Sequence, residues 1–397
     1  MSLLELPNEV LEYILRFLPV HSTISVSKTC RRLNEISKID TLWQHFCLTD
    51  YQVSCKTGWD ISFQDIYSKV LKNYGFFGWK RLALIPYGGL VHVCWVQGEI
   101  EIGAYVPISE IRPDDGLSCE KLFSIQWNEN TANVELLCMQ NRSGPKPALL
   151  IQGGKYPLLK CADNECYKNH KRKVESSKYR TNRRFTCGFK DYEHAFSNCD
   201  LHQGFNVPLL PLCFPTLADQ RRSPIQLGLY AASYGPHGVE ILNFMMNEAN
   251  PFILEGLKIS GDPNVPAGNI SVEVYLDKPV ILGADDQDSI EAMILADISR
   301  DEGSYQALLN SSNNNIHMRQ PFSLPSGVVD RSENVPQACT ARYLACGTIA
   351  GDLFTSPGKC RCHFVKFGDT FFGVLWLELF CFSAFHKVST IPAPSRS

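Results

Sequence analysis

LPNEVLEYILRFLP, residues 6–19, carries the clearest structural punctuation in the chain. Val10, Leu11, Ile14, Leu15 and Leu18 fall on one stripe of an amphipathic helix. Pro7 suits the first turn, where a missing N–H costs nothing, and Pro19 ends the periodic run. Working outward, a second short helix is expected through Ile24, Val26, Cys30 and Leu33, and a third from Asp40 to Cys47 carrying Trp43. Three helices in roughly 45 residues bury too little apolar area to be robust alone. The unit is therefore expected either to complete its core against a partner or to cap the domain that follows.

From Tyr87 onward the texture changes to short runs rich in Val, Ile, Tyr, Phe and Trp, punctuated by Gly, Pro and Asn. Runs at 90–96, 99–106, 122–127, 239–245, 254–260, 270–276, 363–367 and 371–385 read as strands of an antiparallel sheet. So many strands with few helices argue for closure into a barrel or sandwich, which removes exposed edges. The expected fold class is α+β, with a small N-terminal three-helix unit followed by a large, mainly antiparallel β-barrel domain. The expected boundaries are 1–50 for the helices, 51–86 for a helical connector, 87–390 for the barrel and 391–397 for a tail. Irregular inserts are expected near 142–225 and 283–319.

The chain has 397 residues, 44% hydrophobic and 20% charged, which is ordinary globular usage and excludes wholesale disorder. A net charge of −3 leaves no overall excess for binding nucleic acid or an anionic membrane, so neither partner is expected. Sixteen cysteines scattered over this length do not have the density of a small disulfide scaffold. The run 371–385 is short for a bilayer span and contains Glu378, and no signal peptide is evident, so an intracellular setting, cytoplasmic or nuclear, is expected. Neither a Gly-rich phosphate loop nor HExxH nor GxSxG is present. A thiol enzyme pairing a cysteine with His237 or His363 lacks any motif that fixes a base beside a nucleophile.

Residue identity adds to this reading. Leu6-Pro7, Glu9, Val10, Leu11, Ile14, Leu15 and Leu18, then Val26, Cys30-Arg31-Arg32-Leu33 and Leu42-Trp43, resemble the F-box. The resemblance implies docking to a Skp-type adaptor, and through it to a cullin ubiquitin-ligase scaffold. It makes Leu6, Pro7, Val10, Leu11, Ile14, Leu15 and Leu18 the implied contact residues, with Trp43 as a buried anchor. Further along, Tyr87-Gly88-Gly89-Leu90, Tyr234 to Glu240 (YGPHGVE), Lys258 to Gly268 (KISGDPNVPAG), Ile349-Ala350-Gly351, Phe354 to Pro357 (FTSP) and Trp376-Leu377-Glu378-Leu379 resemble the F-box only protein 31 family. That family carries a cyclin-D1-binding-type barrel. The implied function is a non-catalytic substrate receptor of an SCF-type (Skp–cullin–F-box) ubiquitin ligase. Its barrel would bind substrate C-terminal tails, D-type-cyclin-like or amidated, for degradation. The alternative is a barrel that holds a small apolar ligand or cofactor and whose F-box couples its occupancy to ubiquitination, which calls for a deep, dry cavity.

Asp262-Pro263-Asn264 is turn material in its own right, because Asp side chains cap their own backbone in such turns. Set at a barrel mouth, Lys258 and Asp262 would offer a cation and an acceptor to a peptide terminus. Lys258, Asp262, Asn264 and His237 are therefore the candidate substrate-binding residues, with His237 also readable as a plain turn residue.

No cofactor is required by this function, and a structural zinc is the one open question. Cys161, Cys166, His170, Cys187, His194, Cys199 and His202 are dense, yet none forms a CxxC pair. The family resemblance implies a zinc set in which Cys138 and Cys161 match two cysteines. The histidine positions fall near Lys146 and Tyr167, so Cys166 or His170 would have to substitute. Free thiols in a variable loop are the competing reading. The basic segment 168–190 reads as a solvated loop or as a patch for acidic substrates, and 309–317 as a flexible insertion.

Overall fold

The computed structural model describes residues 3–83, 85–108, 116–139, 144–151, 156–161, 206–212, 215–299, 303, 319–330 and 335–388. The expected three N-terminal helices are four: α1 (Asn8–Leu15), α2 (Val20–Ser27), α3 (Arg31–Ile36) and α4 (Asp40–Tyr51). The helix anticipated through Cys30 is broken because Cys30 is extended, at φ −154°. Just before it, the hydroxyls of Ser27 and Thr29 donate to the carbonyls of Ile24 and Val26, competing with helix continuation. Pro7 and Pro19 occupy the N-cap positions of α1 and α2. Gln52, left-handed at φ 61°, closes α4, its N–H donating to the Leu48 carbonyl while Val53 N–H donates to Cys47.

This helical unit completes its core inside the chain. Leu11, Leu15, Leu42, Trp43 and Phe46 share one apolar cluster with Trp59, Phe63, Ile66 and Val70 of the connector and with Val91, Ile100 and Phe123 beyond it. Trp43 Nε1 donates to the Ser37 carbonyl at 2.7 Å, and Trp59 stacks on Trp95 with ring centroids 5.2 Å apart.

The single barrel expected over 87–390 is resolved into two closed sheets. The first comprises β1 (Gly78–Leu82), β2 (Leu90–Val96), β3 (Glu99–Pro107), β4 (Leu117–Asn128), β5 (Asn133–Cys138), β6 (Lys146–Ile151), β7 (Leu158–Cys161) and β8 (Asn206–Pro211), in sequence order. Antiparallel pairing of Lys80 with Pro211 and of Leu82 with Leu209 closes it. Strands β6 to β8 thus lie within the stretch expected to be an irregular insert, while its basic segment 168–190 falls outside the described residues.

The second sheet contains β9 (Gly228–Ser233), β10 (Val239–Met246), β11 (Ile253–Lys258) and β12 (Ile270–Pro279). Three short strands follow, β13 (Gln320–Pro321), β14 (Val329–Asp330) and β15 (Ala338–Cys339). The barrel is completed by β16 (Ala341–Gly351), β17 (Thr355–Lys366), β18 (Phe371–Trp376) and β19 (Cys381–Lys387), with β19 pairing back onto β9 through Phe385 and Ala232. The run 371–385, expected as one strand, is a hairpin. A 3₁₀ turn at Leu377–Leu379 and a left-handed Phe380, φ 51°, reverse the chain without Gly or Pro. Inside, Tyr230, Phe244, Phe364, Phe372 and Phe385 fill the barrel, Phe372 and Phe385 stacked 4.9 Å apart. Gly347 admits the Trp376 indole, whose ring occupies the space a Cβ would take. The helix Ile290–Ser299 lies within the second expected insert, and 309–317 and the tail 391–397 are outside the described residues. Among those residues, no helix is long and apolar enough to cross a membrane.

Candidate functional site: the mouth of the second barrel

Alternation along β10 and β11 decides where the charges go. Leu242, Phe244 and Met246 point into the barrel, and Glu240, two residues before Leu242, continues that inward row. Leu254 likewise points inward on β11, and Lys258 ends the strand with its side chain in the same interior. The two strands pair with Leu242 opposite Lys258. Glu240 and Lys258 are therefore buried, at 0% and 1% exposure.

Lys258 Nζ lies 2.7 Å from Glu240 Oε2 and 2.5 Å from Asp262 Oδ2, and 4.6 Å from the centre of the Tyr234 ring. Asp262 serves two ends at once. While Oδ2 meets the ammonium, Oδ1 accepts from the backbone N–H of Asn264 at 2.7 Å and of Val265 at 2.9 Å. The turn reading of the GDPN stretch is met in Asp262, which also joins an ion cluster within the chain. Asn264 ties the turn to β16 by donating from Nδ2 to the Ala350 carbonyl at 3.0 Å. Tyr234 Oη and Ser271 Oγ are hydrogen-bonded at 3.2 Å.

A cavity of about 430 Å³ opens at the barrel end, lined by Tyr234, Lys258, Asp262, Val265 and Ser271 of this group, whereas Glu240 is buried and does not line it. Lys258, Asp262, Asn264 and His237, the four residues singled out in the sequence, all line it, together with Tyr234, Thr348, Ala350 and Trp376. His237 is exposed, in the 3₁₀ turn Gly235–His237. Val329, Leu379 and Phe380 form an apolar rim and are 55%, 49% and 43% exposed. Sequence reasoning missed Glu240 and Tyr234. The available signal was a single acidic residue in VEILNFMM, a strand otherwise free of charge.

Lys258 differs from its expected role. It is not an unengaged cation awaiting a terminal carboxylate, because two carboxylates already hold it. Formal charges of +1 for Lys258 and −1 each for Glu240 and Asp262 leave the cluster net negative. Burial pushes the Lys258 ammonium toward losing its proton, but Glu240 and Asp262 outweigh it and hold its pKa above the usual value. Burial would likewise raise Asp262, yet Lys258, then His237 and the Val265 N–H, bring it from 3.8 down to about 2. A carboxyl whose folded value is depressed contributes stability above its unfolded value and loses it as pH falls through the folded one. The expected contribution is about 2 kcal/mol, complete above about pH 4 and lost toward about pH 2. Urea midpoints of the native chain and of Asp262→Asn should therefore converge across that window.

Leu11, Leu15 and Trp43 are 1%, 3% and 4% exposed and face the chain's own core, so they are not free contact residues. Leu6, Ile14 and Leu18 are half-buried, while Pro7 and Val10 face solvent beside exposed Tyr13 and Phe17. Cys138 is fully buried in the core of the first barrel. Cys161 ends β7, with β6 between it and β5, which places two strand spacings, roughly 10 Å, between the two backbones. Cys166 and His170 lie outside the described residues, among which no group of three or more His, Cys, Asp or Glu could hold a metal ion. Cys360 and Cys362 lie in the second barrel's core. His363 faces the opposite way and meets Asp297 at 2.8 Å, so the thiols and this imidazole do not form a nucleophile and base.

Residues 3–49 match the F-box-like family and residues 214–391, which contain the second barrel and its mouth, match the Cyclin D1 binding domain. F-box only protein 31 of Rattus norvegicus is 29% identical over 450 residues, covering 98% of this chain and 85% of the relative. The chain is a homologue of F-box only protein 31. The Homo sapiens protein of that name is 28% identical over 468 residues, and F-box only protein 31-B of Xenopus laevis is 28% identical over 457, each alignment covering 98% of this chain and 83% of the relative. The F-box only protein 31 match thus extends across the first barrel, which lies between the two family regions.

Proposed function

We propose that the mouth of the second barrel receives the C-terminal tail of a protein substrate and that the chain delivers that substrate to an SCF-type ubiquitin ligase. An F-box-like region and a Cyclin D1 binding domain in a homologue of F-box only protein 31 indicate a substrate-recognition subunit. The exposed side of α1, with Pro7, Val10, Tyr13 and Phe17, is the face offered to a Skp-type adaptor, which brings the cullin scaffold. Ubiquitin transfer belongs to those partners, and this chain contributes no catalytic group.

The observation that carries the tail reading is a buried ion cluster at an open, apolar-rimmed mouth. A chain terminus fits such a site because it enters end-on, lays its last side chains on Val329, Leu379 and Phe380, and presents one polar group to the cluster. The sign of the cluster selects that group. A terminal carboxylate adds a second net negative charge in a desolvated site, whereas a terminal carboxamide is neutral and brings N–H donors for the Asp262 carboxylate that lines the cavity. The preferred substrate therefore ends in a carboxamide. A small apolar ligand is less well served, because aromatic side chains fill the barrel below the mouth and the cavity wall is charged.

Asp262→Asn keeps the side-chain shape and removes the charge. In the adaptor complex it should weaken binding of a fluorescent amidated tail peptide by about 10- to 100-fold, the range for a hydrogen bond to a charged group. Unchanged affinity would place the tail site elsewhere.

A further inference from the structure

We infer that the first barrel is part of the tail-reading site, its segment Tyr87–Gly89 acting as the template that positions the Asp262 turn. This rests on the tail reading proposed above. Two sequence motifs far apart in the chain, YGGL at 87–90 and KISGDPNVPAG at 258–268, meet here backbone to backbone. Gly89 N–H donates to Ile259 O at 3.1 Å, Gly261 N–H to Tyr87 O at 2.9 Å and Ala267 N–H to Pro86 O at 2.7 Å, and Gly88 bridges Ser260. Asp262 directly follows Gly261, so the carboxylate that closes the ion cluster leaves a backbone held from the other barrel.

The same two strands carry both functions on opposite faces. Ile241 and Ile259 point outward into an apolar cluster with Leu90 and Tyr105 of the first barrel, while their chain neighbours Glu240 and Lys258 turn inward and form a buried ion pair, with Lys258 lining the mouth. Close approach at the joint requires glycine. Gly88 has φ +62°, and a Cβ there would overlap the Ile259 carbonyl oxygen and the Ala267 side chain. A Cβ on Gly261 would overlap the Ala267 amide and the Pro266 carbonyl carbon. Tyr87, Gly88 and Gly89 are not among the residues that line the cavity, so they act as positioning residues.

The test is Gly88→Ala in the adaptor complex, read as the affinity ratio for one tail peptide made with a carboxamide and with a carboxylate end. A merely destabilised chain lowers the active fraction and leaves that ratio intact, whereas a displaced Asp262 turn changes it. Gly98→Ala is the matched control, since Gly98 has φ +85° and its Cβ would strike Thr57 of the connector, away from the joint. The expected result is a ratio reduced at least fivefold in Gly88→Ala and unchanged in Gly98→Ala. An unchanged ratio in Gly88→Ala, with Asp262→Asn still altering it, overturns the template and leaves the tail site standing. A ratio near one in the native complex would instead overturn the tail reading on which the template depends.

Discussion

Replacing Lys258 by methionine is expected to destabilise the second barrel by about 3–5 kcal/mol, the usual consequence of stranding buried charge. Glu240 and Asp262, 0% and 3% exposed, would face each other without their cation. The pH dependence should also reverse. In the native chain Asp262 is held down at about 2, whereas without Lys258 both burial and the neighbouring carboxylate raise it, so acid now stabilises by neutralising the pair. Adding Glu240→Gln and Asp262→Asn to Lys258→Met should restore most of the urea midpoint, because neutral groups of similar volume carry no such desolvation cost. Tail binding should not return with it. Recovery of stability without recovery of binding separates the cluster's role in holding the barrel from its role in reading a terminus.

The second large effect concerns α1. Leu11→Asp should unfold the N-terminal helices rather than simply remove an adaptor contact. Leu11 is 1% exposed, and truncating such a leucine already costs about 2–5 kcal/mol before any charge is buried. Because its cluster runs without a break through Trp59 and Ile66 into the first barrel, the unfolding temperature of that barrel should fall as well. Val10→Asp is the informative comparison. Val10 is 41% exposed, so the substitution should change stability by no more than about 0.5 kcal/mol while abolishing co-purification of the adaptor. Retained adaptor with Val10→Asp would move the docking face off this side of α1.

The two substitutions also mark what periodicity conveys. The stripe through Val10, Leu11, Ile14, Leu15 and Leu18 is legible because helical spacing and flanking prolines are local signals. Whether a stripe faces a partner or the chain's own core is not local, and Leu11 and Leu15 went inward because the connector and first barrel were there to receive them. The division into two barrels was hidden for the same reason. Strand runs on either side of residue 212 look alike, and closure depends on pairings such as Lys80 with Pro211 that join residues far apart in sequence.

The turn between β18 and β19 left no trace because it uses Phe380 where Gly or Asn would be the ordinary choice. At the mouth, Asp262 and Asn264 were legible because turn chemistry names its residues. Glu240 was not, since an acidic side chain in a strand ordinarily marks the solvent face, whereas here it turns inward to meet a buried lysine of the neighbouring strand.

We propose terminus reading at the mouth of the second barrel, through a net-negative buried cluster. Its most direct test is isothermal titration of the adaptor complex with two peptides identical in sequence, one ending in a carboxamide and one in a carboxylate. The carboxamide is expected to bind at least about tenfold more tightly, a difference of roughly 1.4 kcal/mol. Equal or tighter binding of the carboxylate would contradict it.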